Sequence, residues 1–345
     1  MSRARRGDYL REAERTAQRL GLPAHGPATD AAIVDYCCRQ VEHLTRKHGL
    51  PSTTAELLER VAACLDVEFV EIHSERDLQD LAHRIPPAVE PAIVRVQTEL
   101  SEGTDAITIR RRAPQAWERR YLAVINCQGG HYYRRYFSKW HELVHRLIDG
   151  EQLALAFRQT VVHDKDPGEI LVDKVAGELA FFSSIVSPHA RECLDRTGLT
   201  FDSVEALRQS IAPDASLHAT ALALIRHVDR PAWYLRCAMS LKLSETRQLT
   251  RADSGMKAPE RKLRVTAVSP NEAAARSDVR IHQWMRVPKS GLIARSQSSM
   301  SDLTGIEQLR QWETSAGGPI GFGRVFVDAR GLGDEVLALI SVVDN

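Results

Sequence analysis

His141-Glu142-Leu143-Val144-His145 is the stretch whose residue types and spacing belong to metal-dependent hydrolysis. It lies in residues 137–148, where Leu143, Val144, Leu147 and Ile148 recur at helical spacing. On a helix, residues four apart share a face, so two imidazoles stand one turn above the other and can grip one ion. A glutamate between them can reach a water on that ion. The pattern predicts His141 and His145 as zinc ligands and Glu142 as general base.

A zinc peptidase takes three protein ligands and leaves a fourth position for water. A downstream helix is expected to supply the third, and Glu169, 24 residues after His145, fits. Asp173, one turn later, is placed to accept a hydrogen bond from the remaining N–H of a ligating histidine and so fix its tautomer. The same residues also read as a helix start, with Asp166 at the N-cap, Pro167 at N1 and Glu169 at N3. With the upstream motif present, the ligand reading of Glu169 is preferred. Glu178 and His163 compete with it, Glu178 standing about two and a half turns further along the same helix. Tyr133, Tyr136, His163 and Tyr234 are candidate donors to an oxyanion.

The elements that must position these groups follow from periodicity and punctuation. Residues 1–22 read as a charged amphipathic helix ended by Gly21 and Pro23, and 30–48 as a helix ended by Gly49. Thr53-x-x-Glu56 starts another. The period then changes to strand-like at 67–72, 106–109 and 121–126. The motif helix is closed by Gly150, and a long apolar helix runs from 168 to about 186, followed by Pro188. Residues 202–211 and 216–226 are two short helices whose connector contains Pro213, the spacing of a helix-turn-helix. Strands are expected at 233–243, 262–268, 279–285, 323–328 and 336–343, with a helix near 303–312.

The divisions expected are an N-terminal helix and linker (1–29), a peptidase domain (30–200), a helix-turn-helix-like region (201–245), a linker (246–261) and a small C-terminal α/β domain (262–345). The 345 residues are 43% hydrophobic and 26% charged, with net charge +1. That is the balance of a water-soluble globular chain with no overall basic field to advertise nucleic acid. Its apolar runs fall short of the roughly 20 residues of a membrane helix, and no secretory signal opens it. The six cysteines form no C-x-x-C pair and read as reduced thiols of a cytoplasmic protein. The vicinal pair Cys37-Cys38 reads as two small residues on a helix.

Two motifs carry a family resemblance. Arg135-Tyr-Phe-Ser-Lys-Trp-His-Glu-Leu-Val-His145 is similar to R-x-F-T-x-A-H-E-x-x-H, and Glu169-Ile-Leu-Val-Asp173-Lys-Val-Ala176 to E-x-x-A-[ND]-x-F-A, of the ImmA/IrrE zinc metallopeptidases. Ile185-Val-Ser-Pro188 stands loosely for the family's L-M-P. Trp140 and Val144 depart from the family's small residues there, which bears on the substrate groove rather than the metal.

The resemblance implies an α+β fold: a gluzincin-like peptidase domain, a helix-turn-helix-like extension and a GAF-like C-terminal domain. It implies Zn2+ on His141, His145 and Glu169, with Glu142 as catalytic base. The implied substrate is a partner protein, a helix-turn-helix transcriptional repressor whose cleavage switches on a stress or mobile-element response. The GAF-like domain is open to a small-molecule or protein signal. The competing expectation is a DNA-binding or ligand-sensing regulator with an inert metal site. Residues 203–226 support it, but 216–226 offer few base-reading side chains.

Overall fold

Runs of apolar residues build two sheets, and each sheet recruits helices that cover it. The computed structural model describes residues 3–24, 26, 28–85, 92–100, 104–112, 114–149, 155–159, 166–242, 245–246, 259–313, 318–321 and 323–343. Gly150, His163 and most of the linker expected at 246–261 lie outside the described residues. The architecture is α+β. The chain divides into two compact units, Met1–Pro188 with Arg208–Ser216, and His189–Leu207 with Leu217–Asn345.

The first unit begins with α1 (Arg3–Arg19), α2 (Thr29–Thr45) and α3 (Thr54–Cys64). Gly49 ends the turn that follows α2 with φ of 71°, a left-handed conformation that costs glycine little. Thr53 caps α3 by accepting the Glu56 N–H at 3.1 Å. Next come β1 (Val67–Ile72), α4 (Glu75–Arg84), α5 (Ala92–Glu99), β2 (Thr104–Arg110), β3 (Tyr121–Asn126), α6 (Arg135–Asp149), β4 (Leu155–Gln159) and α7 (Pro167–Ala180). The sheet order is β1-β3-β2-β4, with β1 parallel to β3 and the other pairs antiparallel.

Every residue of β3 is buried, as befits a central strand covered on both faces. On one face, Ile107, Ile109, Leu122 and Val124 pack against Leu78 and Leu81 of α4 and Ile93 and Val96 of α5. Helix α6 packs against β2 and β3. Its Trp140, Leu143 and Val144 are fully buried, and the Arg146 guanidinium lies 3.7 Å from the centre of the Tyr121 ring.

Polar anchors fix the two helices that carry the predicted site. The Tyr136 hydroxyl of α6 donates to the Ala180 carbonyl at the end of α7 (2.8 Å) and lies 2.9 Å from Thr54 Oγ1 of α3. Thr54 Oγ1 in turn reaches the Ile211 carbonyl at 3.1 Å. Asp30 of α2 accepts from Lys174 of α7 (2.6 Å) and from Tyr9 of α1 (3.0 Å).

Helices α8 (Ser183–Thr197) and α9 (Phe201–Ile211) lead to the second unit. It continues with α10 (Leu217–Ile225), β5 (Ala232–Ser240), β6 (Lys262–Pro270), α11 (Glu272–Arg276), α12 (Leu292–Ser299), β7 (Leu303–Gln308), β8 (Arg324–Leu332) and β9 (Glu335–Val343). The strands form one antiparallel sheet in the order β6-β5-β9-β8-β7. Its core joins Trp233, Leu235 and Cys237 of β5 to Val325 and Val327 of β8, with Leu292 and Ile293 of α12.

Several elements differ from the sequence expectation. The helix expected over 168–186 ends at Ala180, whose carbonyl is taken by Tyr136, and Phe181 leaves helical geometry with φ of −125°. Pro188 then falls inside α8 instead of ending a helix. Residues 303–312 form β7 and a short 3-10 turn rather than a helix, because Leu303–Gln308 pair in register with β8. Residues 279–285 are irregular; 284–287 bond along the edge of β6 without continuing as a strand. Strand β5, read from sequence as the end of the 201–245 region, hydrogen-bonds between β6 and β9. Helices α4, α5, α11 and α12 have no counterpart in the sequence expectation.

Two outcomes follow for stability. Tyr136→Phe leaves the buried Ala180 carbonyl without its donor and should cost ~1–3 kcal/mol, read as a lower thermal midpoint. Burial alone would raise the Asp30 pKa, but the bonds from Lys174 and Tyr9 hold it below the usual carboxylate value. A depressed folded-state pKa stabilises above the unfolded pKa, and the stabilisation is lost as pH falls through the folded value. Asp30→Asn should therefore be less stable than the parent near neutrality and approach it in acid, as measured by denaturant midpoints across pH.

Candidate metal centre

Residues 141 and 145 lie on one face of α6, and the first turn of α7 runs alongside. His141 is fully buried, and His145 and Glu142 are also buried. The Nε2 atoms of His141 and His145 are 3.1 Å apart. Glu169 brings Oε2 to 3.0 Å from His141 Nε2 and Oε1 to 3.4 Å from His145 Nε2. Asp173 Oδ1 lies 3.0 Å from His141 Nδ1. A carboxylate only accepts, so the Nδ1–H of His141 is the donor there. In the neutral ring Nε2 then carries a lone pair, aimed at a second imidazole nitrogen and a carboxylate oxygen. Lone pairs so close repel one another unless a hydrogen-bonding proton or a positive charge stands among them. A proton or a metal ion satisfies that requirement, and the donors are of the kind that hold divalent metals.

The local sequence explains how Glu169 arrives. Asp166 caps α7 by accepting the Gly168 N–H at 2.7 Å, and Pro167 occupies N1, where its missing N–H is no loss. The cap and the ligand position coexist: the Glu169 side chain meets the imidazoles. Burial alone would raise its pKa, but the bonds and charges of His141 and His145 outweigh that and hold it at about 2.

Glu142 is bound by a residue the sequence reading missed. The Thr108 hydroxyl of β2 donates to Glu142 Oε2 at 2.6 Å, within the buried interior. The signal was present as a hydroxyl in the otherwise apolar run Ala106-Ile-Thr-Ile109.

Other candidates go elsewhere. Glu178 acts on the Cys38 thiol of α2, which burial and then the charges of Glu178, Asp35 and Glu42 push up to about 11. Cys37 is raised to about 12, and all six cysteines are free. Tyr136 is committed to Thr54 and Ala180, and Tyr133 is exposed. Tyr234 belongs to the second unit, its ring 5.1 Å from His218. His163 lies outside the described residues. Five of the nine residues of α10 are buried, which leaves little of that helix to read a groove.

Among the described residues, Glu71, His73 and Cys127 also bring ligand atoms within 4.8 Å of one another. There Lys139 already pairs with Glu71 at 2.8 Å. Burial, and then the Glu71 charge, push the Cys127 thiol up to about 12.

No family model matches the chain, and no curated protein does. A solved structure described as a Mycobacterium tuberculosis transcriptional regulator is similar over 90% of this chain and 80% of that one, at 10% identity and a TM-score of 0.38. No helix among the described residues is long and apolar enough to cross a membrane.

The His141–Asp173 bond makes a direct forecast. If the site takes zinc, Asp173→Ala, which frees the His141 ring to adopt the other tautomer, should weaken that binding about 10- to 100-fold in a chelator competition. Asp173→Asn, which keeps an accepting oxygen, should lose less.

Proposed function

We propose that the chain is a zinc-dependent endopeptidase, with His141, His145 and Glu169 as metal ligands and Glu142 as the proton-transfer group. The observation that carries this reading is the convergence of three side chains: the two histidine Nε2 atoms lie 3.1 Å apart, and the Glu169 carboxylate places Oε2 at 3.0 Å from His141 and Oε1 at 3.4 Å from His145. Tetrahedral zinc with bonds near 2.0–2.1 Å separates its ligand atoms by about 3.3–3.4 Å. Two neutral imidazoles and one carboxylate are also a donor set used in catalytic zinc sites. A bound zinc ion would supply Lewis-acid polarisation of a peptide carbonyl and a water of lowered pKa.

The chain's own residues do the rest. Asp173 holds His141 in one tautomer. Thr108 fixes one oxygen of the Glu142 carboxylate, which leaves the other to take a proton from the attacking water and pass it to the departing amine. The apolar wall of Trp140, Leu143 and Val144 secures the helix that presents these groups. Nothing in this geometry selects a substrate. The partner proposed is a helix-turn-helix transcriptional repressor, and that part rests on the similarity of the 135–145 and 169–176 motifs to the ImmA/IrrE peptidases. A cytoplasmic location accords with such a partner.

The test is incubation of the zinc-loaded protein with helix-turn-helix repressors from the same organism, followed by mass spectrometry of the products. One defined cut is expected. Glu142→Gln should keep its zinc by elemental analysis yet cleave at least about 100-fold more slowly. Cleavage by this variant at the parent rate would overturn the assignment.

A further inference from the structure

We infer that Glu71, His73 and Cys127 form a second metal site, which takes zinc or a similar late first-row divalent ion through a carboxylate, an imidazole and a thiolate. It shares no residue with the centre at His141. Glu71 is the penultimate residue of β1, and His73 follows that strand directly. Cys127 follows β3. Ile72 is in register with Asn126 of the parallel neighbour, so His73 and Cys127 leave the sheet side by side. The Cys127 N–H donates to the Ile72 carbonyl at 2.8 Å. The C-terminal ends of parallel strands are a recurrent place for ligands. Here ligand atoms of the three side chains all lie within 4.8 Å of one another.

The donors are oriented by groups behind them. His73 Nε2 is 3.2 Å from Glu71 Oε2, close to the roughly 3.3–3.4 Å between nitrogen and oxygen ligands on tetrahedral zinc. The other carboxylate oxygen, Oε1, is held by Lys139 at 2.8 Å. Lys139 thus fixes the carboxylate and leaves Oε2 for the ion, the part a group behind a metal ligand commonly plays. The His73 N–H donates to Asp77 at 2.9 Å, and the His73 ring lies 6.2 Å from that of Tyr132, centre to centre. Cys127 is buried while His73 is half exposed, so an ion can enter from solvent without opening the sheet.

The charges suit a cation. Burial alone would raise the Glu71 pKa, but the bond from Lys139 and the charges of Lys139, Arg135 and His73 hold it below the usual carboxylate value. Glu71 is therefore ionised and ready to bind. The thiol proton is the obstacle, kept in place by burial and then by the Glu71 charge. A divalent ion between thiol and carboxylate offsets both causes, and a coordinated thiol is deprotonated outright. Sulfur among the ligands turns selection away from magnesium and calcium and towards zinc and its late first-row neighbours. The centre at His141 offers only nitrogen and oxygen, so the two sites differ in a property that can be measured.

The experiment is titration of the full-length protein, dialysed against a chelator, with Co2+ while absorption is recorded. A sulfur-to-cobalt charge-transfer band in the near ultraviolet is expected, and added Zn2+ should bleach it by displacing the cobalt. Cys127→Ser should abolish the band. His73→Ala should weaken cobalt binding at least about 10-fold. Cys38→Ser with Cys64→Ser, which removes the two thiols that are not buried, should leave the band unchanged. Circular dichroism checks the fold of each variant, and His73→Ala, at a half-exposed side chain, carries the test if Cys127→Ser does not fold. No charge-transfer band at saturating cobalt, a band that survives Cys127→Ser, or cobalt affinity unchanged by His73→Ala would each overturn the inference.

Discussion

Electron-rich atoms forced together are the constraint around which the first unit is organised. His141 Nε2, His145 Nε2 and the Glu169 carboxylate approach to 3.0–3.4 Å, closer than bare lone pairs tolerate without a proton or a cation between them. The cost is met by helices that cannot drift apart. Tyr136 ties α6 to the end of α7, Asp30 ties α2 to its middle through Lys174, and Asp166 fixes its first turn. The donor atoms are thus held together by the packing of the helices that carry them. Glu142 obeys the same logic from the sheet side, with its burial made tolerable by the Thr108 hydroxyl.

Much of this arrangement could be read in one dimension. The motif histidines fall on one helical face because four residues is close to one turn, and Glu169 meets them because a proline-started helix begins just upstream. Strands β1 and β3 fall on their expected residues because short apolar, β-branched runs between turn signals have few alternatives. Thr108 stayed hidden because a threonine in a strand is unremarkable until the helix above places a carboxylate over it.

The misread elements have different causes. Helix α4 has only Leu78 and Leu81 as a buried stripe within a highly charged sequence, although Ser74 and Asp77 form a capping box that could have announced it. Residues 279–285 alternate like a strand, but Trp284 takes a φ of 70° and the segment turns, leaving only a few backbone bonds to the edge of β6. Leu303–Gln308 contains glycine and polar residues that make a weak strand locally, and it becomes one because β8 supplies a partner in register. For Leu303–Gln308 the outcome was set by a neighbour distant in sequence, and local propensity gave way.

The position of Glu169 in the first turn of α7 has an electronic consequence. Peptide dipoles along a helix sum to roughly half a positive charge at its N-terminus. A carboxylate seated there is stabilised as an anion, and an anion already satisfied by that field donates less of its charge to a bound cation. A metal ion held there would keep more of its own charge and would polarise a carbonyl or a water more strongly. The same proline-started turn that brings Glu169 to the histidines would therefore tune the acidity of a water on such an ion.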